Sequence, residues 1–341
     1  MPPPYLSTGL AQQVNLNQST LTDVDILNFA LNLEYLEAEF YTYAITGKSI
    51  SDSGIAITGS GTSGQVSGGA KVTFSDSTLT GLITEIAADE RAHVTYLRQA
   101  ITQLGGTPIS RPNINLAALG IGFGNQSDFL AVARALEDIG VTAYAGAAPL
   151  IQNKAILGAA ARILAVEAFH AGALRLEVAR NNVATTLLDG LDRLPPPTGT
   201  LYFATNANAL AEVRTPGQVL ALAFAKGTTA GAFFPNGVNG NVNTASAVAT
   251  STSNGAVITL LPNPLTAAAA QNASLVITYA GGYEIRANSP NGILIASGNG
   301  PSTIQLGPVT NGQMFFLQDV SNGNRLTPAN TLGVVTVSIQ G

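Results

Sequence analysis

Only two histidines occur among the 341 residues, His93 and His170, and each follows a glutamate by three positions, in Glu90-Arg91-Ala92-His93 and Glu167-Ala168-Phe169-His170. On a helix that offset puts a carboxylate and an imidazole on one face, within reach of one ion. With ten glutamates in the chain, chance would place one at that offset from both histidines with a probability on the order of 0.001, (10/341) squared. Ahead of each motif lies a second repeat: Glu34 is followed seven residues later by Tyr41, and Glu137 by Tyr144. The order Glu-x6-Tyr, Glu-x-x-His, Glu-x6-Tyr, Glu-x-x-His reads as a tandem duplication of a helix pair. One glutamate from each of two helices, with Glu-x-x-His from each of the other two, is a ligand set for two iron or two manganese ions inside a helical bundle. Glu34, Glu90, His93, Glu137, Glu167 and His170 are therefore the candidate metal ligands. Four carboxylates neutralise two divalent ions, two imidazoles add neutral nitrogen, and positions stay open for dioxygen or peroxide. Iron and manganese both accept this mixed set, so the residue types do not choose between them.

Those side chains need four helices to carry them, and apolar residues recur at helical spacing over about 23–46, 77–104, 127–147 and 155–182. Thr22 with Asp25 three residues on predicts a capping box, Ser127-Asp128 reads as the cap of the third helix, and Gly105-Gly106 followed by Pro108 ends the second. The first two helices are separated by residues 47–76, dense in Gly, Ser and Thr, where the alternation Ala70-Lys71-Val72-Thr73-Phe74 suggests an inserted loop or small hairpin. Glu37 shares the helix face of Glu34 and reads as a partly solvated carboxylate ahead of an extra ligand. Glu85, Asp89 and Asp138 read as salt-bridge or surface groups.

Three stretches carry a family resemblance: Asn28-Phe29-Ala30-Leu31-Asn32-Leu33-Glu34-Tyr35-Leu36-Glu37-Ala38-Glu39-Phe40-Tyr41, then Ile163-Leu164-Ala165-Val166-Glu167-Ala168-Phe169-His170, and then Arg214-Thr215-Pro216-Gly217-Gln218-Val219-Leu220 running on to Gly231–Gly240. On them the chain resembles the ferritin-like superfamily, whose pattern rubrerythrins, bacterioferritins and manganese catalases share, and most of all the ferritin-like proteins called desiccation-related. The resemblance implies that the six residues above bind two iron or two manganese ions. It implies that Tyr41 and Tyr144 stand near the metals as candidates for a catalytic part, with simple packing as the alternative. Peroxide or dioxygen is then the small-molecule substrate, turned over by a catalase, peroxidase or oxidase in stress protection. The alternative is an extracellular structural or self-assembling stress protein whose metal site is structural or vestigial. One departure stands out: no aspartate follows either histidine by three or four residues, those positions being Tyr96, Leu97, Ala173 and Leu174, so any group orienting the imidazoles must come from elsewhere.

Composition narrows the remaining classes. Charged residues are 10% of the chain, the net charge is -5 and no basic block occurs, which argues against nucleic acid or an anionic membrane surface as partner. The longest apolar run, Ala155–Ala168, contains Arg162 and Glu167 and is too short and too charged for a membrane span. Cysteine is absent, so there is neither a disulfide nor a thiolate site. Met1-Pro2-Pro3-Pro4-Tyr5 lacks the basic start and apolar stretch of a signal peptide, so the expectation is either a chain that stays inside or one numbered from after a removed leader. Residues 1–198 hold 28 of the 35 charges, and Pro195-Pro196-Pro197 marks the break. The expected organisation is α + β and multidomain. An extended arm (1–22) leads into a ferritin-like four-helix bundle (23–194), then a linker (195–270), then a small C-terminal β-sandwich (271–341). Within the linker, Thr215 and Pro216 start a helix carrying Val219, Leu220, Leu222, Ala223 and Phe224 that should pack on the bundle. Beyond it, six or seven short alternating runs end in Val334–Ile339, a strand that could pair with a neighbouring copy. The charge-poor β-domain predicts self-association, as a homo-oligomer, a filament or a surface-attached form, with covered sheet edges as the equal alternative. It also predicts a secreted, periplasmic or cell-surface location, with the cytoplasm as the alternative.

Overall fold

The computed structural model describes residues 22–188 and 191–214 continuously. Further along it describes 219, 222–223, 233–235, 238–240, 258–261, 265–266, 269–277, 279, 281–287, 293–309, 313–320, 331–336 and 339–340. Four helices fall within two residues of the expected spans: Asp23–Thr46 (α1), Ser77–Gln103 (α2), Gln126–Ala147 (α3) and Lys154–Arg180 (α4). α1 packs mainly along α2 and α3 along α4, the pairing that a duplicated hairpin requires. At the start of α1 the capping box forms, Thr22 accepting from the Asp25 N–H and Asp25 accepting from the Thr22 N–H. α3 departs from expectation. Its cap is Asn125, whose backbone is extended and whose Oδ1 takes the Asp128 N–H at 2.9 Å. Ser127 and Asp128 already lie in the first turn, where the acid still suits the positive end of the helix dipole.

α4 runs for 27 residues, longer than the apolar run seen in the sequence, and is apolar enough by composition to cross a bilayer. Glu167, His170, Arg175 and Glu177 are nevertheless buried in the bundle, which is where an apolar helix with such a face belongs.

The 47–76 insertion is a loop and not a hairpin. A 3-10 turn at Ile50–Ser53 is followed by Val66–Ser67 (β1), which pairs in parallel with Ile114–Asn115 (β2) of the α2–α3 connection. Gly68 then turns the chain at φ 76°, and Val72 donates its N–H to the Ala44 carbonyl at the end of α1, so Ala70–Phe74 finds no strand partner. Buried Arg111 ties this loop to the bundle, pairing with Glu39 and donating to Ser49 Oγ at 2.9 Å and to the Gly64 carbonyl at 2.9 Å. Asn239 makes a second knot. It exchanges hydrogen bonds with the buried Asn32 side chain and donates to the carbonyls of Thr62 and Ser110.

The rest of the chain is built of strands Ile258–Leu261 (β3), Leu265–Thr266 (β4), Ala273–Ile277 (β5), Gly282–Ala287 (β6), Ile293–Asn299 (β7), Ser302–Gly307 (β8), Met314–Asp319 (β9), Thr331–Thr336 (β10) and Ile339–Gln340 (β11). A four-stranded sheet in the order β10-β9-β6-β7 and a three-stranded sheet β3-β5-β8 enclose a common core of Leu275, Ile277, Ile285, Phe315 and Leu317, the expected small sandwich. β3 and β4 lie ahead of residue 271, within the stretch read as linker, because Pro262 and Pro264 break their period in the sequence. On β9, alternation sends Phe315 and Leu317 into the sandwich and Phe316 into the core of the bundle. Val334–Ile339 divides between β10, at one edge of the larger sheet, and β11, which pairs with β4. The arm at 1–21 and most of the helix expected from Thr215 fall outside the described residues, yet Val219 and Ala223 do pack on the bundle core.

Two glycines give contrasting expectations. A β-carbon on Gly64 would lie 2.1 Å from backbone atoms of Pro112 and Asn113, whereas one on Gly81, within α2, would meet nothing within 4 Å. Gly64→Ala should lower unfolding free energy by about 1–3 kcal/mol, and Gly81→Ala should raise it by about 0.4–1 kcal/mol. Chemical denaturation of the two variants checks the pair.

Candidate metal centre

The six expected ligands come from the middles of four helices: Glu34 from α1, Glu90 and His93 from α2, Glu137 from α3, Glu167 and His170 from α4. All six are buried, the four glutamates completely. They form two overlapping groups whose ligand atoms lie within 4.8 Å of one another: Glu34, Glu90, His93 and Glu167, and Glu90, Glu137 and His170. Glu90 belongs to both. His93 Nδ1 is 3.3 Å from Glu34, 3.4 Å from Glu90 and 3.6 Å from Glu167. His170 Nδ1 is 3.0 Å from Glu90 and 3.4 Å from Glu137, and the two rings stand 6.4 Å apart.

Electrostatics within this cluster are unresolved by the protein alone. Among the described residues, eleven buried side-chain atoms lack a hydrogen bond, and seven of them are here: Glu34 Oε2, Glu90 Oε1, both oxygens of Glu137 and of Glu167, and His170 Nδ1. Leaving a buried charged group unsatisfied costs several kcal/mol, so the donor set fits a cation. Burial, with the charges of Glu34 and Glu137, pushes the Glu90 carboxyl up to about 7. Burial and the neighbouring acids Glu90, Glu37 and Glu137 raise Glu167 well above the carboxylate range. Burial works against the imidazolium of His93, but Glu34 and Glu90 outweigh it and push the ring up to about 11. His170 likewise reaches about 11, burial being overcome by Glu137 and Glu90.

The two tyrosines are crossed between the halves of the duplication. Tyr144 on α3 donates to Glu34 Oε1 on α1, and Tyr41 on α1 lies against α3, donating to the Ala133 carbonyl at 3.4 Å. Burial, and then the charge of Glu137, raises the Tyr41 phenol well above its usual value; burial, and then Glu34, does the same to Tyr144. The orienting group missing after each histidine is supplied to one ring by the neighbouring helix: His170 Nε2 lies 3.1 Å from Asp89. Asp89 was read as a salt-bridge or surface group, and it is the former.

A further repeat escaped the sequence reading. Arginine follows each histidine by five residues, as Arg98 and Arg175. Arg98 donates to Tyr35, next to Glu34, at 2.6 Å, and Arg175 to Asp138, next to Glu137, at 2.7 Å. Each guanidinium also reaches backbone carbonyls of a connecting segment, Thr58 and Ile109 for Arg98, Leu201 and Tyr202 for Arg175. The signal, His-x4-Arg twice, was present in the sequence. Asp138 is buried between Arg134 and Arg175. Glu37, expected to be partly solvated, is buried as well, because Val219, Ala223 and Phe233 cover the α1–α3 face on which it lies.

Residues 22–180 match the family described as ferritin-like domain. The bundle is a ferritin-like domain. The chain is similar to the ferritin-like catalase Nec2 of Nesocodon mauritianus, 23% identical over 270 residues, covering 64% of this chain and 84% of the relative. It is also similar to the desiccation-related protein PCC13-62 of Craterostigma plantagineum, 29% identical over 164 residues, and there it covers 43% of this chain and half of the relative's length.

Metal must displace protons from this ferritin-like centre, since both imidazoles carry one at neutral pH in the free protein and must lose it to ligate. Loading the metal-free protein at pH 8 should therefore release protons. Affinity should fall with pH, and more steeply below about 7, where Glu90 also holds a proton. Calorimetric titration in two buffers of different ionisation enthalpy measures the release, and a buffer-independent heat would contradict it.

Proposed function

We propose that the ferritin-like bundle holds two iron or two manganese ions and performs redox chemistry on peroxide or dioxygen. The observation that carries this reading is the set of seven buried ligand atoms without a hydrogen bond, contributed by five of the six residues, which fall in two groups that share Glu90. Four carboxylates match the charge of two divalent ions, and six side chains would leave coordination positions on them for a small ligand. When bound, the ions would supply electrons and open coordination positions.

The chain's own residues shape what those ions meet. Asp89 at His170 Nε2 fixes that ring with Nδ1 turned inward. The Tyr144 hydroxyl occupies one oxygen of Glu34, leaving Oε2 for the metal. Phe40 and Phe129, stacked at 4.9 Å, pack around Tyr41, whose phenol lies within the field of Glu137. That a similar protein is named a ferritin-like catalase supports peroxide as substrate. In this reading the β-domain serves attachment or oligomerisation outside the cytoplasm.

One observation favours a second reading, a self-assembling structural protein. β7 is an edge strand, and Ile293, Leu294 and Ile295 on it are exposed, Ile293 by 75%. The strand expected in the sequence, β10, is the other edge of the same sheet.

Elemental mass spectrometry on protein purified without added metal separates the readings. The enzyme reading expects about two Fe or Mn per chain, lost in Glu90→Ala and Glu167→Ala together with peroxide turnover. Assemblies that persist in both variants, with no metal in the parent protein, would support the structural reading instead.

A further inference from the structure

Glu37 follows Glu34 by three residues on α1 and so shares its face. The corresponding position in the duplicated half, three residues after Glu137 on α3, is Gly140. A β-carbon on Gly140 would lie 2.2 Å from Glu167 Oε2 and 3.3 Å from Glu37 Oε1. Both oxygens therefore border one gap, which any other residue on α3 would fill. One half of the duplication supplies a carboxylate, and the other half removes the side chain that would block it.

Glu37 has no ordinary reason to be there. It is only 5% exposed, and among the described residues its carboxylate makes no hydrogen bond and no ion pair. On the side away from the centre it borders a cavity lined by Leu33, Leu36, Leu136, Ile139 and Phe233, which offers no polar partner. A packing residue in such a place would be apolar, because an unpaired buried acid costs stability and contributes nothing in return. On the side facing Glu167 a cation would satisfy the carboxylate.

We propose that Glu37 is a seventh donor of the metal centre, an oxygen ligand beside Glu167 on the α1–α3 side, admitted by the missing side chain of Gly140. The inference rests on the dinuclear reading above and extends its ligand set by one carboxylate. It makes the centre unequal about its own pseudo-twofold axis: α1 contributes two acids, and α3 one.

The test compares the full-length parent protein with Glu37→Gln, which keeps shape and loses charge, and with Glu37→Asp, which keeps charge. Each is stripped with chelator and titrated with Mn2+ and, separately, with Co2+, whose visible bands strengthen as coordination number falls. Glu37→Gln should bind Mn2+ about tenfold or more weakly and should show a changed Co2+ spectrum. Glu37→Asp should recover part of the affinity. Parent-like affinity and an unchanged Co2+ spectrum in Glu37→Gln would overturn the proposal while leaving the dinuclear centre intact. A parent protein that binds neither ion would overturn both.

Discussion

A carboxylate stays charged inside a protein only where positive charge meets it, and this bundle is organised around that constraint. Four glutamates and two histidines converge in an interior otherwise filled by leucine, isoleucine and aromatic rings. The protein answers part of the charge itself, through protonated imidazoles and the Tyr144 hydroxyl, and leaves seven atoms without a hydrogen bond. Elsewhere in the same chain buried acids are answered in full: Glu39 has Arg111, Ser49 and the Ile50 N–H, and Asp192 has Arg134. The contrast shows that this sequence satisfies buried carboxylates where nothing else will. Among the described residues, the carboxylate oxygens that are fully buried without a hydrogen bond all lie in this cluster, a pattern that suits a cation.

The duplication explains how six ligands are held to one geometry, and its exceptions explain how the two ends of the centre differ. In both halves the residue after the first glutamate accepts from the arginine five positions after the histidine, and that arginine grips backbone carbonyls of a connecting segment. Each ligand pair is thereby fixed from outside the bundle, so loop and helix move together. Symmetry fails at two points. Asp89 steadies His170, while the matching residue ahead of Glu167 is Val166, which cannot do the same for His93. Glu37 faces Gly140. Two ions held here would have unlike surroundings, which suits chemistry in which one binds substrate and the other sets charge.

Much of this was legible in the sequence because helices announce themselves. Period, caps and the Glu-x-x-His repeat place the four helices within two residues and bring all six candidate ligands together, since i, i+3 spacing on a helix leaves little freedom. What could not be read depends on contacts between distant segments. The burial of Glu37 comes from Val219, Ala223 and Phe233, nearly two hundred residues further along. Asp89 becomes the partner of His170 only once α2 lies beside α4. Val66–Ser67 is a strand solely because Ile114–Asn115 runs past it, while the better alternation at Ala70–Phe74 has no strand beside it among the described residues. Strand pattern records a face to be buried and says nothing of the partner, which is also why β3 and β4 were hidden behind their prolines.

The same dependence bears on why the connectors are so heavily bonded. Between α1 and α3 the Phe40–Phe129 stack and the hydrogen bonds of Tyr41 and Tyr144 hold the cluster together locally. Further support comes from outside the centre. Arg98 and Arg111 hold the 47–76 loop across α1 and α2, Arg175 holds residues 201–202 across α4, and Asn239 stitches the C-terminal segment to α1. Such bonds act whether or not a cation is present, so the cluster is preformed. The free energy of cation binding would then not be consumed in assembling the ligands, which leaves more of it for retention.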